Sequence, residues 1–248
     1  MAQVVRQLYE QAYDFPYRLE PPRQRYMVAA IPRSGSTFLC INLWRTGALG
    51  APMEYLNLPV VDAIVRRLGE GDVLAYWEQV RRRRTSPNGV FGFKAFVSNY
   101  TVIADGHPEL LPRINSDEVI YLTRRDKLSQ AVSYARAWLS RVWFAGIDHE
   151  PPAYDPAEIA KALHLIEEQE RQWETIFDLT GVRPLRLAYE DVLADPDAAC
   201  RQAADRLGVD LASSSRLSIP MTERQADATS DLWKQRWRMN HPEMCPAS

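Results

Sequence analysis

The sequence predicts an α/β fold: a P-loop-like, three-layer domain in which helices flank a central, mainly parallel sheet. Short apolar segments suited to buried strands alternate along the chain with longer segments of helical periodicity. The 248 residues, 46% of them hydrophobic, are enough for one core, so we expect a single domain over residues 1–248. Basic and small polar residues follow the strands directly, at the sheet edge where such folds bind ligands.

The first strand and the turn after it carry the clearest functional signal. The apolar run 27–31 predicts a buried strand that ends at Pro32, and the turn 33–37 (Arg-Ser-Gly-Ser-Thr) follows it. A helix is predicted from Ser36 to Thr46, with Gly47 as its stop. Backbone N–H groups and the helix dipole converge at such a turn, which is typical of an anion site. The alternative is a strand-turn-helix unit that binds nothing.

This turn is not a standard P-loop, because it lacks the first glycine and the lysine of G-x-x-x-x-G-K-[ST]. We therefore expect a nucleotide site but not a Mg-dependent NTPase. The histidines and cysteines also lack metal-ligand spacing, so no metal is expected.

The later elements are predicted from periodicity and from their end signals. A helical region covers residues 60–84 with an interruption at 69–71, and its four closing arginines, 81–84, are interpreted as a solvated helix end. The other strands are expected at 90–96, 118–123 and 184–188. The other helices are an amphipathic one from Leu128 to Leu139 and two that begin at Asp-Pro pairs: Asp155-Pro156 to about Gly181, and Asp195-Pro196 to Gly208.

A second basic segment, Arg124-Arg125-Asp126-Lys127, follows the predicted strand 118–123 and leads to Ser129 and Ser133. Arginine binds phosphate oxygens in a planar, bidentate manner, so this segment suits a second phosphate beside the first. The alternative is a solvated loop in which Asp126 caps the helix and pairs with its basic neighbours. Two basic segments at strand ends of one fold favour the phosphate interpretation.

Composition limits the partners and the compartment. The net charge of −2 gives no reason to expect a nucleic acid partner. The three cysteines, Cys40, Cys200 and Cys245, lie far apart in the chain, which fits a reducing compartment. The N-terminal residues lack the apolar core of a signal peptide, and no apolar run is long enough for a membrane span. We therefore expect a cytoplasmic protein.

At these motifs the chain resembles the sulfotransferases that use 3′-phosphoadenosine 5′-phosphosulfate (PAPS). Residues 32–37 look like their 5′-phosphosulfate loop, and Arg125 and Ser133, eight residues apart, match their 3′-phosphate pair. Residues 189–196 (Tyr-Glu-Asp-Val-Leu-Ala-Asp-Pro) are similar to the family's Tyr-Glu-Asp-Leu segment. The resemblance implies PAPS as the co-substrate and adenosine 3′,5′-bisphosphate as the product. It implies that the 5′ side of the nucleotide is held by Arg33, Ser34, Gly35, Ser36, Thr37 and Phe38.

Within that family the chain is similar to the bacterial trehalose 2-sulfotransferase-like branch. The shared features are residues 124–127, Pro-Met-Glu-Tyr at 52–55 and Arg-Gln-Ala-Asp at 224–227. The common cytosolic branch has a lysine in the first loop and a catalytic histidine, where this chain has Arg33 and Phe96. The resemblance therefore implies Glu54 as the general base. The alternatives are a surface acid at this position and His149 as the base.

The remaining assignments each keep an alternative. Arg33 is assigned to the sulfuryl and bridging oxygens, or to a structural ion pair. Lys94 is expected to neutralise the donor or orient the acceptor, or else to end its strand and reach solvent. Trp138 and Trp143 are candidate acceptor contacts, or core or interface aromatics. Arg224-Gln225 are expected to close a C-terminal lid over the nucleotide, or to belong to an exposed helix.

We therefore predict sulfuryl transfer from PAPS to a hydroxyl of a small acceptor. Trehalose and other sugars are the candidate acceptors. The competing functions are an ATP-dependent P-loop-type kinase and a non-catalytic nucleotide-binding protein. The missing Gly-Lys pair disfavours the kinase, and a 3′-phosphate gives the Arg125 and Ser133 pair a reason. Similarity to the trehalose branch also implies a homodimer.

Overall fold

The computed structural model describes residues 7–143, 150–221 and 227–241. Four parallel strands form one sheet in the order β2-β1-β3-β4: β1 (Gln24–Ala30), β2 (Val90–Ala95), β3 (Glu118–Thr123) and β4 (Leu185–Ala188). The chain leaves β1 toward one side to form β2 and then crosses to the other side to form β3. In such a sheet the connections diverge between β1 and β3, and a crevice opens beyond their carboxyl ends.

Helices follow each strand. Those of the described residues are α1 (Ser36–Arg45), α2 (Leu58–Gly69), α3 (Val73–Arg84), α4 (Val97–Gly106), α5 (Lys127–Ser140), α6 (Pro156–Thr180), α7 (Tyr189–Ala194), α8 (Pro196–Leu207) and α9 (Ala228–Asn240). Short 3-10 helices span Gln11–Tyr13 and Pro108–Arg113. In these ranges no helix combines the length and the apolar character that crossing a membrane requires.

The predicted α/β architecture is confirmed, and the predicted strands are all present. The long helix begins after Asp155, whose side chain accepts hydrogen bonds from the first turn, and it ends at Gly181 in a left-handed conformation. Helix α4 was not predicted. Its β-branched residues, among them Thr101 and Val102, have low helix propensity, and it starts directly after β2.

One face of the sheet is covered by aromatic side chains from α3, α4 and α6. Trp77 of α3 packs edge-on against Phe93 of β2, and Phe177 of α6 packs against Tyr121 of β3. Trp173 of α6 stacks on Phe177 and donates a hydrogen bond from Nε1 to the carbonyl of β1 residue Ala30, at 3.0 Å. These contacts hold β1, β2 and β3 against the helices on this face of the sheet.

The opposite face of the sheet carries a buried charged side chain, that of Lys94. Lys94 lies on β2 beside Val28 of β1, and its side chain reaches Thr37 at the start of α1. Tyr26 of β1 packs against Gly92, where a Cβ would lie 2.4 Å from the tyrosine ring. Helices α1 and α8 complete this layer, so the sheet lies between two helical layers.

The interpretation of residues 81–84 as a solvated helix end is wrong for Arg84, whose side chain is only 2% exposed. Its Nη2 lies 3.0 Å from Asp14 Oδ1, and its Nη1 donates to the Leu8 carbonyl at 3.0 Å. Arg84 follows the buried Val80 by four residues, so helical spacing places it on the inner face of α3. The ion pair fastens the N-terminal segment to the domain.

Replacing Arg84 with alanine leaves the Asp14 carboxylate buried without its partner, so we expect the free energy of unfolding to fall by about 3–5 kcal/mol. Arg81→Ala is the matched control, because Arg81 pairs with Glu78 near the surface, and we expect a loss of about 1 kcal/mol or less. Urea unfolding measures both. Equal losses would contradict a structural role for the buried pair.

Candidate active site

A cavity of about 850 Å³ lies beyond the carboxyl ends of β1 and β3, at the crevice that the strand order creates. Its walls come from the segments that follow β1, β2 and β3, and from α7 and α9. This volume is in the range of sites for small organic ligands, and a nucleotide fits that class.

The turn after β1 forms the floor of the cavity. Gly35 and Arg33 have positive φ angles of 84° and 66°, and α1 begins directly at Ser36. No side chain caps this helix N-terminus, so its first N–H groups face the cavity without a side-chain acceptor. Gly35, Ser36, Thr37 and Phe38 line the cavity, whereas Ser34 is fully buried and its N–H bonds to the Ile31 carbonyl.

Tyr189, the first residue of α7, packs directly on the turn. A Cβ added to Gly35 would lie 2.1 Å from Cδ2 of the Tyr189 ring, so only glycine allows this contact. The turn therefore requires glycine at this position for two reasons, the positive φ and the close contact with Tyr189.

Lys94 joins the turn to Glu54. Its Nζ lies 3.0 Å from Glu54 Oε2 and donates to Thr37 Oγ1 at 3.1 Å. The side chain of Lys94 is 3% exposed and that of Glu54 is 13% exposed. The prediction that Lys94 reaches solvent is wrong, because the buried ammonium is held by these two partners and lies over the Phe96 ring.

Backbone contacts hold the segment that carries Glu54. The Lys94 N–H donates to the Met53 carbonyl at 2.9 Å, which fixes the segment along the edge of β2. The Tyr9 hydroxyl donates to the Glu54 carbonyl at 3.3 Å. The second carboxylate oxygen of Glu54, Oε1, accepts a hydrogen bond of 2.7 Å from Asn57 Nδ2. Glu54 is therefore a held carboxylate at the cavity wall, not a surface acid.

Arg33 spans the cavity from the turn to α5. Its Nε donates to Ser133 Oγ at 2.9 Å and its Nη1 donates to the Trp143 carbonyl at 2.6 Å. Burial, together with the smaller effect of repulsion by Arg124 and Arg136, lowers the pKa of Arg33 to about 10. The guanidinium stays charged at neutral pH, and an anion in the cavity would relieve this repulsion.

The structure brings Arg124 rather than Arg125 to the cavity. The Arg124 guanidinium lies 5.0 Å from the Tyr189 ring centroid, and its Nε is buried without a hydrogen-bond partner among the described residues. The side chain of Arg125 is 61% exposed and pairs with Asp191 on the outside. Ser133 does line the cavity, so the geometry separates the two members of the pair that the sequence placed together.

Glu190 sets the direction of this second turn. Its carboxylate accepts hydrogen bonds of 3.1 Å from the backbone N–H groups of Arg125 and Asp126. Although burial opposes ionisation, these two bonds lower the pKa of Glu190 below its usual range. The turn is thereby held with Arg124 inward and Arg125 outward.

Two tryptophans predicted as acceptor contacts lie in different environments. Trp143 lines the cavity, whereas Trp138 is on the outer surface of α5 with the Lys161 ammonium 4.6 Å from its ring centroid. The acceptor assignment of Trp138 has no support in this arrangement. Arg224, Gln225 and His149 lie outside the described residues.

Sequence reasoning missed the contribution of α9 to the cavity wall. Asp227, Asp231 and Lys234 line it, and Asp227 forms a bidentate ion pair with Arg136 of α5. Hydrogen bonds from Arg136 hold the pKa of Asp227 at about 2. The family resemblance singled out residues 224–227, but no local signal ties the helix that follows them to the site. In the part of the chain that the structure describes, no group of three His, Cys, Asp or Glu side chains is placed to hold a metal ion.

A sequence model of the Stf0 sulphotransferase family matches residues 25–240, nearly the whole described chain. The chain belongs to this family. The predicted class of enzyme, a sulfotransferase that transfers a sulfuryl group to a hydroxyl, is therefore confirmed.

The chain is also similar to named relatives and to solved structures. The chain is 29% identical over 260 residues to trehalose 2-sulfotransferase of Mycobacterium tuberculosis, covering 88% of this chain and 96% of that protein. It is 29% identical over 253 residues to trehalose 2-sulfotransferase of Mycolicibacterium smegmatis, covering 86% and 94%. Among solved structures, the sulfotransferase domain from the curacin biosynthetic pathway matches 91% of this chain and 98% of that one, with 15% identity and a TM-score of 0.45.

We expect Gly35→Ala to weaken binding of adenosine 3′,5′-bisphosphate about tenfold or more, because the added Cβ forces the turn 33–37 and Tyr189 apart. Isothermal titration calorimetry measures the affinity. Gly181→Ala is the matched control: its φ of 67° carries a similar backbone penalty, but its Cβ meets no atom within 4 Å. It should lose stability and keep the affinity. Unchanged affinity in Gly35→Ala would contradict the role of the turn.

Proposed function

We propose that this sulfotransferase moves the sulfuryl group of PAPS to a hydroxyl of trehalose or a closely related sugar, with Glu54 as the general base. The observation that carries this proposal is the chain of contacts from Glu54 through Lys94 to Thr37. It joins a carboxylate able to accept a proton to the turn suited to hold the phosphosulfate. The products are the sulfated sugar and adenosine 3′,5′-bisphosphate.

The donor fits the cavity by its charges. The uncapped N-terminus of α1 offers N–H groups to the 5′-phosphosulfate, with the hydroxyls of Ser36 and Thr37 beside them. We propose that Arg124 and Ser133 hold the 3′-phosphate, in place of the pair of Arg125 and Ser133. The position of Arg124 in the cavity wall, with its guanidinium over the Tyr189 ring, supports this assignment.

The proposed reaction is a direct displacement at sulfur. The acceptor hydroxyl gives its proton to the Glu54 carboxylate while its oxygen forms a bond to sulfur. The bond from sulfur to the bridging oxygen breaks, and its electron pair stays on the 5′-phosphate. Lys94 and Arg33 lie on opposite sides of the turn, where their charges stabilise the sulfuryl oxygens and the leaving phosphate.

The acceptor side of the cavity is suited to a polyol. Beyond Glu54 the wall carries Asn57, Ser98 and Asn99, and Val102 supplies an apolar surface. Amide and hydroxyl groups of this kind bind sugar hydroxyls by hydrogen bonds. Together with the names of the two mycobacterial relatives, these residues support trehalose as the first acceptor to test.

We expect Glu54→Gln to lower the turnover of PAPS and trehalose about 10²- to 10⁴-fold, because the amide cannot accept the proton. Its amide oxygen still accepts from Lys94, so the buried ammonium keeps a partner. Mass spectrometry of sulfated trehalose measures turnover, and calorimetry should show unchanged affinity for adenosine 3′,5′-bisphosphate. Near-normal turnover in this variant would contradict the base assignment. Product from another sugar but not from trehalose would correct the acceptor alone.

The 3′-phosphate assignment is tested by two neighbouring variants. We expect Arg124→Ala to weaken adenosine 3′,5′-bisphosphate binding about 10- to 100-fold and AMP binding much less, because one charged hydrogen-bond donor to the 3′-phosphate is lost. Arg125→Ala should leave both affinities nearly unchanged, since that side chain pairs with Asp191 outside the cavity. Loss of the preference for the 3′-phosphate in Arg125→Ala instead would restore the sequence-based pair.

We further propose a homodimer, supported by the likeness to the trehalose branch, and a cytoplasmic location, supported by the cysteine usage.

A further inference from the structure

Asn57 occupies the N-cap position of α2 but does not cap the helix. Asparagine is favoured at this position because its side-chain oxygen accepts a hydrogen bond from the first turn, which is worth about 1 kcal/mol. No such bond is present at Asn57. Asp72, at the start of α3, shows the usual arrangement, since its carboxylate accepts from the N–H groups of Leu74 and Ala75.

The Asn57 side chain is directed to Glu54 instead. Its Nδ2 donates to Oε1 at 2.7 Å, while Lys94 holds Oε2 at 3.0 Å. The two donors approach different oxygens, so the carboxylate plane is fixed from both ends. Asn57 itself lines the cavity beside Glu54.

We infer that Asn57 is a positioning residue for the general base: its amide donates to the Glu54 carboxylate and fixes the plane of that carboxylate. This inference rests on the proposed function, because it presupposes Glu54 as the base. A hydrogen bond to the charged form of an acid favours that form, and the loss of a helix cap at Asn57 is offset by this contact. Asn57 thus departs from the usual capping arrangement at a position in the wall of the proposed active site.

The other groups that face Glu54 leave the charge balance simple. Among the side chains that the structure describes around Glu54, Lys94 on β2 is the charged neighbour, and the other titratable groups are the Tyr9 hydroxyl and the Cys40 thiol. Burial raises the pKa of Tyr9 well above its usual value and the pKa of Cys40 to about 12. Both groups are therefore neutral at neutral pH.

Asn57→Asp is the decisive variant, because it keeps the shape of the side chain and replaces the donor with a second carboxylate. Two carboxylates at this distance cannot both ionise easily, so the acid limb of the kcat profile should move up by more than one pH unit. Asn57→Ala removes only the hydrogen-bond donor, and the acid limb of its kcat profile should move up by about one pH unit. Aspartate is as good a helix cap as asparagine, so thermal stability should be retained in Asn57→Asp.

Asp72→Ala is the matched control for a capping role. It should lower the melting temperature and leave the pH profile unchanged. If the profiles of both Asn57 variants overlay that of the wild type while Glu54→Gln is inactive, the inference is wrong and the proposed base stands. If Glu54→Gln is active, the proposed function of Glu54 fails first. A melting temperature that falls in Asn57→Asp without a shift of the profile would show a structural role only.

Discussion

The buried ammonium of Lys94 is the constraint on which the active site depends. A buried cation is stable only when it is paired and hydrogen-bonded, and Lys94 finds both partners in segments that are distant from it in the chain. Its contacts hold Glu54 at the edge of β2 and join β2 to Thr37 at the start of α1. The same need that stabilises the fold thus places the proposed base beside the turn 33–37.

The Tyr-Glu-Asp segment at the start of α7 gives a second example of one element serving several contacts. Tyr189 packs on Gly35 of the first turn, Glu190 holds the backbone of the second turn, and Asp191 draws Arg125 outward. The two turns at the carboxyl ends of β1 and β3 are therefore fixed relative to each other by three consecutive residues. This arrangement gives the segment a physical role in shaping the cavity.

The sequence predicted what local signals determine. Apolar runs predicted the strands, the Asp-Pro pair at 155–156 predicted a helix start, and the turn predicted as an anion site lines the cavity. The family resemblance pairs Arg125 with Ser133, whereas the structure places Arg124 in the cavity wall. The sequence cannot show which way a turn faces, and here the hydrogen bonds to Glu190 hold it. The side-chain direction of Asn57 also depends on tertiary contacts. Arg84 was different, since its helical spacing from Val80 was a signal already present in the sequence.

The proposed role of the buried Lys94 is to hold the base, Glu54, beside the turn that binds the donor. A crystal structure with adenosine 3′,5′-bisphosphate and trehalose tests it most directly. We expect an acceptor hydroxyl within hydrogen-bond distance of the Glu54 carboxylate, with Lys94 Nζ between that carboxylate and the 5′-phosphate. A nucleotide bound away from the turn 33–37, or an acceptor whose hydroxyls contact another base while Lys94 touches neither ligand nor Glu54, would contradict the account.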